Sequence, residues 1–334
     1  MDEARARDVL AAAGHSRDAE LMALGENAVF ASGDLVVKVG RAPELLERAR
    51  LSLRIADWLE ESGVPAVRSA QSEPQLVDGH PVTVWHRLPQ AARPPEPADL
   101  AGLLRLVHAL PLPVFAPPHE ASGGGQAEAD LTAYPSAEAD GATHPAAGAG
   151  ETATTDAPPP GAATRPALPR RELLSGVERW LRLAGDAIDP ADADFLRERR
   201  DGFAPAAAAL VPELRPGPIH GDALPRNVLV GPEGPVLADL ETFSADLREH
   251  DLVVMALSRD RYGLPAEAYD SFTRSYGWDV REWEGCEVLR GARETASCAW
   301  VAQHAPANPK ALTEFQRRVA SLRDGDPTVR WYPF

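Results

Sequence analysis

The sequence predicts an α+β chain of two unlike parts, and three observations carry that prediction. Over about the first ninety residues, short runs of β-formers are set around two-residue turn signals, with one prominent helical stretch among them. From residue 171 onward helical periodicity dominates and is broken once, by loop and strand text at 217–243. Between these parts, residues 117–169 lose all periodicity and hold nine Pro and seven Gly.

Each element follows from its residues. Positions 2–13 (DEARARDVLAAA) predict a short helix with acids at its positive end. From Leu21 to Val39, two β-rich runs flank Gly33-Asp34, which predicts a hairpin whose second strand carries Lys38. Helix formers over 42–62 close on Ser62-Gly63 and Pro65, a stop signal. Val67–Ala70 and Pro81–Leu88 are expected as two further strands around Asp78-Gly79. Residues 98–109 place Leu100, Leu103, Leu104 and Val107 on one helical face. The stretch 117–169, with seven acids against one Arg, lacks the apolar area to offset its ordering entropy and is expected to be a disordered insertion. Helices are then expected at 171–185, 190–210, 245–257, 265–275, 279–303 and 309–323. The expected organisation is an antiparallel-sheet lobe over 1–87, a hinge and first helix over 88–116, the insertion, and a mainly helical lobe over 170–334.

Composition removes several function classes. With 34 Lys+Arg against 50 Asp+Glu the formal charge is −16, a field that repels nucleic acid and anionic lipid. No run approaches the ~20 apolar residues of a membrane span, and the N-terminus lacks a signal-peptide core, so a cytoplasmic protein is expected. Cys286 and Cys298 are too few and too far apart for a disulfide scaffold or a cysteine-rich zinc site. Only Lys38 and Lys310 are lysine, and only Asn27, Asn227 and Asn308 are asparagine. In a chain that otherwise writes Arg, the lysine at 38 calls for a chemical reason.

The chemistry is concentrated in Pro218-Ile219-His220-Gly221-Asp222-Ala223-Leu224-Pro225-Arg226-Asn227-Val228-Leu229-Val230, followed by Val236-Leu237-Ala238-Asp239-Leu240-Glu241. A polar loop, a strand, a turn and a second strand bring Asp222, Asn227 and Asp239 to neighbouring loop ends. The Asp239 carboxylate and the Asn227 amide oxygen suit Mg²⁺, a hard cation that prefers oxygen and keeps several waters. Asp222 is then left to accept a proton from an attacking hydroxyl.

The pattern H-G-D-x₄-N with a strand-end Asp resembles the aminoglycoside phosphotransferase family, small-molecule kinases whose catalytic loop is similar to the H-R-D-x₄-N loop of protein kinases. Gly25–Phe30, Val36–Gly40, Trp58-Leu59 with Gly63–Arg68, and Val82–Trp85 look like that family's nucleotide lobe in order, and the tail pieces Tyr276–Asp279 and Trp283–Gly285 resemble an actinobacterial-type branch. The resemblance implies a two-lobed protein-kinase-like fold and transfer of the γ-phosphoryl of ATP or GTP, with Mg²⁺, to a small-molecule hydroxyl. It implies Asp222 as base, Asn227 and Asp239 on the metal, and Lys38 on the α/β-phosphates. A turn at Gly25–Ala28, with Gly25 and Asn27, would cover the phosphates, and the backbone of Trp85, His86 and Arg87 would read the purine. His220 and Asp251 would brace the loop, and Glu241 would help the metal site or anchor the loop.

One departure stands out. The helix glutamate that pairs with the lysine in this family falls on Ser52, leaving Glu44 or Glu47 as substitutes and a nucleotide-binding module without efficient catalysis as the competing reading. A hydrolase centre drawn from His220, Asp222, Asp239 and His250 lacks a second clustered His motif. The acidic balance mildly favours a cationic, aminoglycoside-like acceptor, for which Glu282, Glu284, Glu287 and Glu294 are candidate pocket acids. Choline-, macrolide- and sugar-like acceptors stay open, as does the oligomeric state.

Overall fold

Asp2 opens the first helix, α1 (Glu3–Ala12), by accepting the Arg5 N–H at 2.8 Å, and Ala6, Val9 and Leu10 bury its inner face. In the computed structural model, which describes residues 1–89, 93–115 and 168–332, that face lies on an antiparallel sheet. The sheet is built from β1 (Glu20–Leu24), β2 (Asn27–Ser32), β3 (Leu35–Gly40), β4 (Gln75–Val77) and β5 (His80–His86), in the order β1-β2-β3-β5-β4. Strand alternation separates its faces: Val37 and Val39 are fully buried with Phe30, Val82 and Val84, so Lys38 between them points to the other side. Gly33, at a φ of +62°, makes the tight turn into β3.

The expected strand at Val67–Ala70 is corrected by the structure. Asp78 and Gly79 both take positive φ, which closes a two-residue hairpin and pairs Val77 directly with His80, so the strand before the turn is β4. Val67–Ala70 instead links the two lobes, the Val67 N–H donating to the Leu237 carbonyl at 2.8 Å and the Ala70 N–H to Val84 at 2.9 Å. Helix α2 (Leu46–Glu61) follows a short 3-10 turn and ends at Gly63, whose φ of +72° fits the expected stop.

Helix α3 (Pro97–Ala109) begins the second lobe, with Asp99 accepting the Glu96 N–H at 2.8 Å. The remaining helices are α4 (Val177–Ala184), α5 (Pro190–Ala208), α6 (Glu249–Arg261), α7 (Ala266–Tyr276), α8 (Cys286–Ala302) and α9 (Pro309–Arg323). The helix expected from 279 starts at 286, because Asp279 caps a separate 3-10 turn over Val280–Glu282. Leu181, Leu196, Val301, Phe315 and Trp331 form the core of this lobe. Its two most buried arginines are paired: Arg261 Nε meets Glu294 at 2.6 Å, and Arg318 Nε meets Glu314 at 2.8 Å while its guanidinium lies 4.9 Å from the Trp331 ring centroid.

Two small antiparallel pairs interrupt the helices: β6 (Gly217–Ile219) with β9 (Ser244–Asp246), and β7 (Val228–Gly231) with β8 (Gly234–Leu237). They carry the two chemical loops. Most of the expected insertion over 117–169 lies outside the described residues, but its last two residues belong to the packed body: Leu168 is buried and the Pro169 carbonyl accepts the Ala245 N–H at 2.8 Å. Among the described residues no helix is long and apolar enough to cross a membrane.

Candidate active site

The loop between β6 and β7 and the loop between β8 and β9 are sewn together by hydrogen bonds. His220, fully buried, uses both ring nitrogens: Nε2 donates to the Ala238 carbonyl at 2.9 Å, and Nδ1 accepts the Asp222 N–H at 3.3 Å. In this pairing Nε2 carries a proton and Nδ1 is an acceptor. The Thr242 hydroxyl donates to the His220 carbonyl at 2.8 Å, and the Ala238 N–H to the Asn227 carbonyl at 2.8 Å. Gly221 has a φ of +83°, and a Cβ there would stand 2.3 Å from the Thr242 carbonyl oxygen. Only glycine lets the loops come this close.

Asp251, on the first turn of α6, holds the loop from behind. Its carboxylate is fully buried and accepts the His220 N–H at 2.7 Å, the Gly221 N–H at 2.8 Å and His108 Nε2–H at 3.1 Å. Burial by itself would push this carboxyl up. The His108 hydrogen bond, the His108 and His220 imidazoles and the His220 N–H outweigh it and hold the group at about 2. His108 Nδ1 in turn accepts from the Tyr276 hydroxyl at 2.8 Å. The sequence reading missed His108. The signal available was a lone histidine on the apolar face of α3 beside Leu104 and Val107.

Asn227 is buried, and its Nδ2 donates to the Asp222 carbonyl at 2.7 Å and to Asp222 Oδ2 at 3.2 Å. The amide is therefore turned with its oxygen left for a cation. Asp239 sits at φ 59°, ψ 60°, a left-handed conformation that Asp tolerates better than most residues. Crowding in the cleft, reinforced by the Glu241 and Asp222 charges and opposed by Lys38 and His220, pushes the Asp239 carboxyl above its ordinary range. Such a group gains from a bound cation. Among the described residues no three His, Cys, Asp or Glu side chains form a metal cage.

Lys38 reaches this cluster from the sheet. Its Nζ lies 3.0 Å from Glu241 Oε1 and 3.9 Å from Asp239 Oδ1, and 5.7 Å from the Trp85 ring centroid. The substitutes expected from the sequence do not serve: Glu47 on α2 is exposed and paired with Arg50 at 2.6 Å, and Glu44, in the 3-10 turn before it, is exposed. Ser52 is buried with its hydroxyl on the Ala49 carbonyl, and Ala49 and Leu45 line the cleft behind Lys38. Glu241 is thus the lysine's counter-ion, reached across 203 residues of chain.

Two expected nucleotide contacts are redirected. Asn27 does not face free space over the phosphates; its Nδ2 donates to both Glu241 oxygens, at 2.9 and 3.1 Å. The Gly25 N–H is spent on the Asn27 carbonyl at 2.9 Å, and the Gly25 carbonyl accepts from Arg41. The N–H groups of Trp85–Arg87 are also committed. The Arg87 N–H donates to Asp34 at 2.8 Å, which sets the phase of the β3–β5 ladder and makes Val36–Trp85 a hydrogen-bonded pair; the His86 N–H turns the other way, to the Arg68 carbonyl at 2.9 Å.

With this geometry in hand, comparison with known proteins gives a consistent picture. Residues 25–289 match the model of the phosphotransferase enzyme family. No curated protein matches the chain. A choline/ethanolamine kinase family protein from Mesorhizobium loti shares 18% identity at a TM-score of 0.54, covering 97% of this chain and 100% of its own. Amicoumacin kinase hAmiN, solved with AMP-PNP, Ca²⁺ and Ami, shares 12% at a TM-score of 0.60, covering 98% and 97%. The APH(2")-IIa of a streptomycin–ATP ternary complex shares 10% at a TM-score of 0.51, covering 98% and 99%. At these identities the likeness is one of fold, and that fold is the two-lobed kinase-like architecture expected from the sequence.

Proposed function

We propose a reaction from the premise that this chain belongs to the phosphotransferase enzyme family: it moves the γ-phosphoryl group of ATP or GTP to a hydroxyl of a small molecule. The observation that carries the reading is the convergence of Lys38, from the sheet, on the sewn pair of loops that hold Asp222, Asn227 and Asp239. The transition state of phosphoryl transfer is loose, so positioning and charge neutralisation are what a protein must supply.

In this reading an acceptor hydroxyl oxygen attacks the γ-phosphorus and the bond to the β,γ-bridging oxygen breaks, leaving the nucleoside diphosphate. Asp222 receives the hydroxyl proton on its carboxylate. Its backbone N–H on His220 and its side chain on Asn227 fix the direction in which that carboxylate points. Lys38, steadied by Glu241, takes the α/β-phosphates. Asn227 and Asp239 would hold Mg²⁺, which when bound neutralises charge on the β- and γ-phosphates. The reason for doubting catalysis was a lysine without its helix glutamate, and Glu241 supplies that charge.

The test is thermal melting with Mg²⁺ and each nucleotide, joined to a transfer assay. A magnesium-dependent rise in Tm with ATP or GTP is expected from mass action on the native state. Asp222→Ala is expected to keep that rise while losing turnover by 10³-fold or more, on the order expected for removing both base and orientation. Full activity in that variant overturns the site.

A further inference from the structure

Arg226 and Arg293 hydrogen-bond to the loop that carries the carboxylate assigned to the acceptor's proton, and Arg171 lies within electrostatic reach of that carboxylate, in a chain whose formal charge is −16. Arg226 Nη2 donates to Asp222 Oδ2 at 2.9 Å. Arg293, from α8, reaches the same loop and donates from Nη2 to the Gly221 carbonyl at 2.8 Å, while its buried Nε has no partner among the described residues. Arg171 lies just before α4. Its backbone N–H is tied to Asp246 Oδ2 at 3.1 Å, yet its half-buried guanidinium makes no ion pair among the described residues, and its buried Nε also lacks a partner.

Among the described residues Arg248 and Arg290 also bury an Nε without a hydrogen-bond partner, but Arg290 is answered by Asp260 and Glu287. Arg261 and Arg318, the other arginines of this helical lobe with deep burial, end on carboxylates and carbonyls: Arg261 on Glu294 and the Asp326 carbonyl, Arg318 on Glu314 and the Tyr332 carbonyl. A buried cationic donor left unspent is costly and calls for an explanation. Nor do the local acids supply one. Asp251 is committed to His108 and two N–H groups, Asp246 to the N–H groups of Leu247 and Arg171, and Asp222 to Arg226 and Asn227. Burial first, then mutual repulsion between Arg171 and Arg293, lowers Arg293 to about 10, and burial lowers Arg171 as well. Two guanidiniums in this state favour an incoming anion, and their planar forks match a carboxylate or phosphate.

The acids offered by the sequence for a cationic acceptor are elsewhere engaged or exposed. Glu294 is buried on Arg261, Glu287 pairs with Arg290, and Glu282 and Glu284 are exposed. We propose that the acceptor is an alcohol that also carries an anionic group, a carboxylate or phosphate ester, which seats on Arg171 and Arg293 while the hydroxyl faces Asp222. This rests on the kinase reading above and narrows it, since an acceptor with cationic groups alone would meet the guanidiniums held on the loop that carries Asp222.

The test is calorimetric titration of the full chain with inorganic phosphate while saturating Mg·AMP-PNP occupies the nucleotide cleft. One phosphate site is expected, weakened at least tenfold in Arg171→Met and unchanged in Arg170→Met, whose side chain is 82% exposed beside it. Arg293→Met touches the catalytic loop, so Arg171→Met carries the test if that variant does not fold. Absence of phosphate binding to the AMP-PNP complex overturns the proposal. So does phosphate binding that appears only without nucleotide, because the arginines would then serve the transferring group and not the acceptor. Equal affinity in Arg171→Met overturns it too. If Mg·AMP-PNP itself neither binds nor raises Tm, the kinase reading fails and the acceptor role with it, whereas Arg171-dependent phosphate binding in the nucleotide-free chain would still support the anion seat.

Discussion

Replacing Asp251 by Asn changes one oxygen to an NH₂ group and leaves the shape intact. The native carboxylate is fully buried and takes three hydrogen bonds, two of them from the backbone of the loop that carries Asp222, at 2.7 and 2.8 Å. Hydrogen bonds to a charged acceptor contribute about 1.5–3 kcal/mol each, so losing one bond outright and the charge on the others should cost about 3–5 kcal/mol. Urea denaturation of both proteins, compared at pH 7, reads this directly. The carboxyl is held at about 2 against an ordinary value of 3.8, so its contribution is fully present above pH 4 and is lost as pH falls through about 2. The Asn variant should lack that acid limb. A variant within about 1 kcal/mol of the native protein, with the same acid limb, would refute the reasoning that this carboxylate holds the loop.

Three further outcomes are expected. Glu241→Ala removes the counter-ion of Lys38 and the acceptor of Asn27, so the KM for Mg·ATP should rise about tenfold in steady-state assays; an unchanged KM would mean the lysine is held by another group. His250, pressed down to about 4 by burial and then by Arg293, should draw stability out of the fold as pH falls from 6.5 towards 4, because the unfolded chain then binds the extra proton; His250→Asn should flatten the loss between pH 7 and 5 by about 2 kcal/mol in denaturant melts. Gly221→Ala combines a left-handed backbone with a 2.3 Å approach to the Thr242 carbonyl, and should cost more than about 2 kcal/mol by calorimetric Tm, with a smaller change pointing to a loop able to move aside.

Much of the architecture was legible because it rests on local periodicity. Lys38 lies on a strand with its neighbours Val37 and Val39 turned inward, as the alternation of β3 requires, and the H-G-D-x₄-N text lies between two strands as its apolar flanks indicate. Errors arose where a signal could be satisfied in two ways. Val67–Ala70 has strand-like residues, but the positive φ at Asp78 and Gly79 binds the turn to its immediate neighbours, and the free segment bridges to Leu237 instead. The N–H groups of His86 and Arg87 are taken by Arg68 and Asp34, a pairing that the local text of Trp85–Arg87 does not record.

The sequence by itself determined which residue types stand at which loop ends: an aspartate, an asparagine and a second aspartate at the spacing of a phosphotransferase loop, and a rare lysine one strand away. These depend on spacing along the chain, which short-range sterics translate directly into geometry. The tertiary structure alone decided who answers whose charge. Lys38 finds Glu241 rather than Glu44 or Glu47, Asp251 is shared by His108 and the catalytic loop, and Arg293 reaches the Gly221 carbonyl with its Nε unspent. Charge pairing acts through space and is indifferent to chain distance, so no local pattern records it until the two lobes have folded against each other.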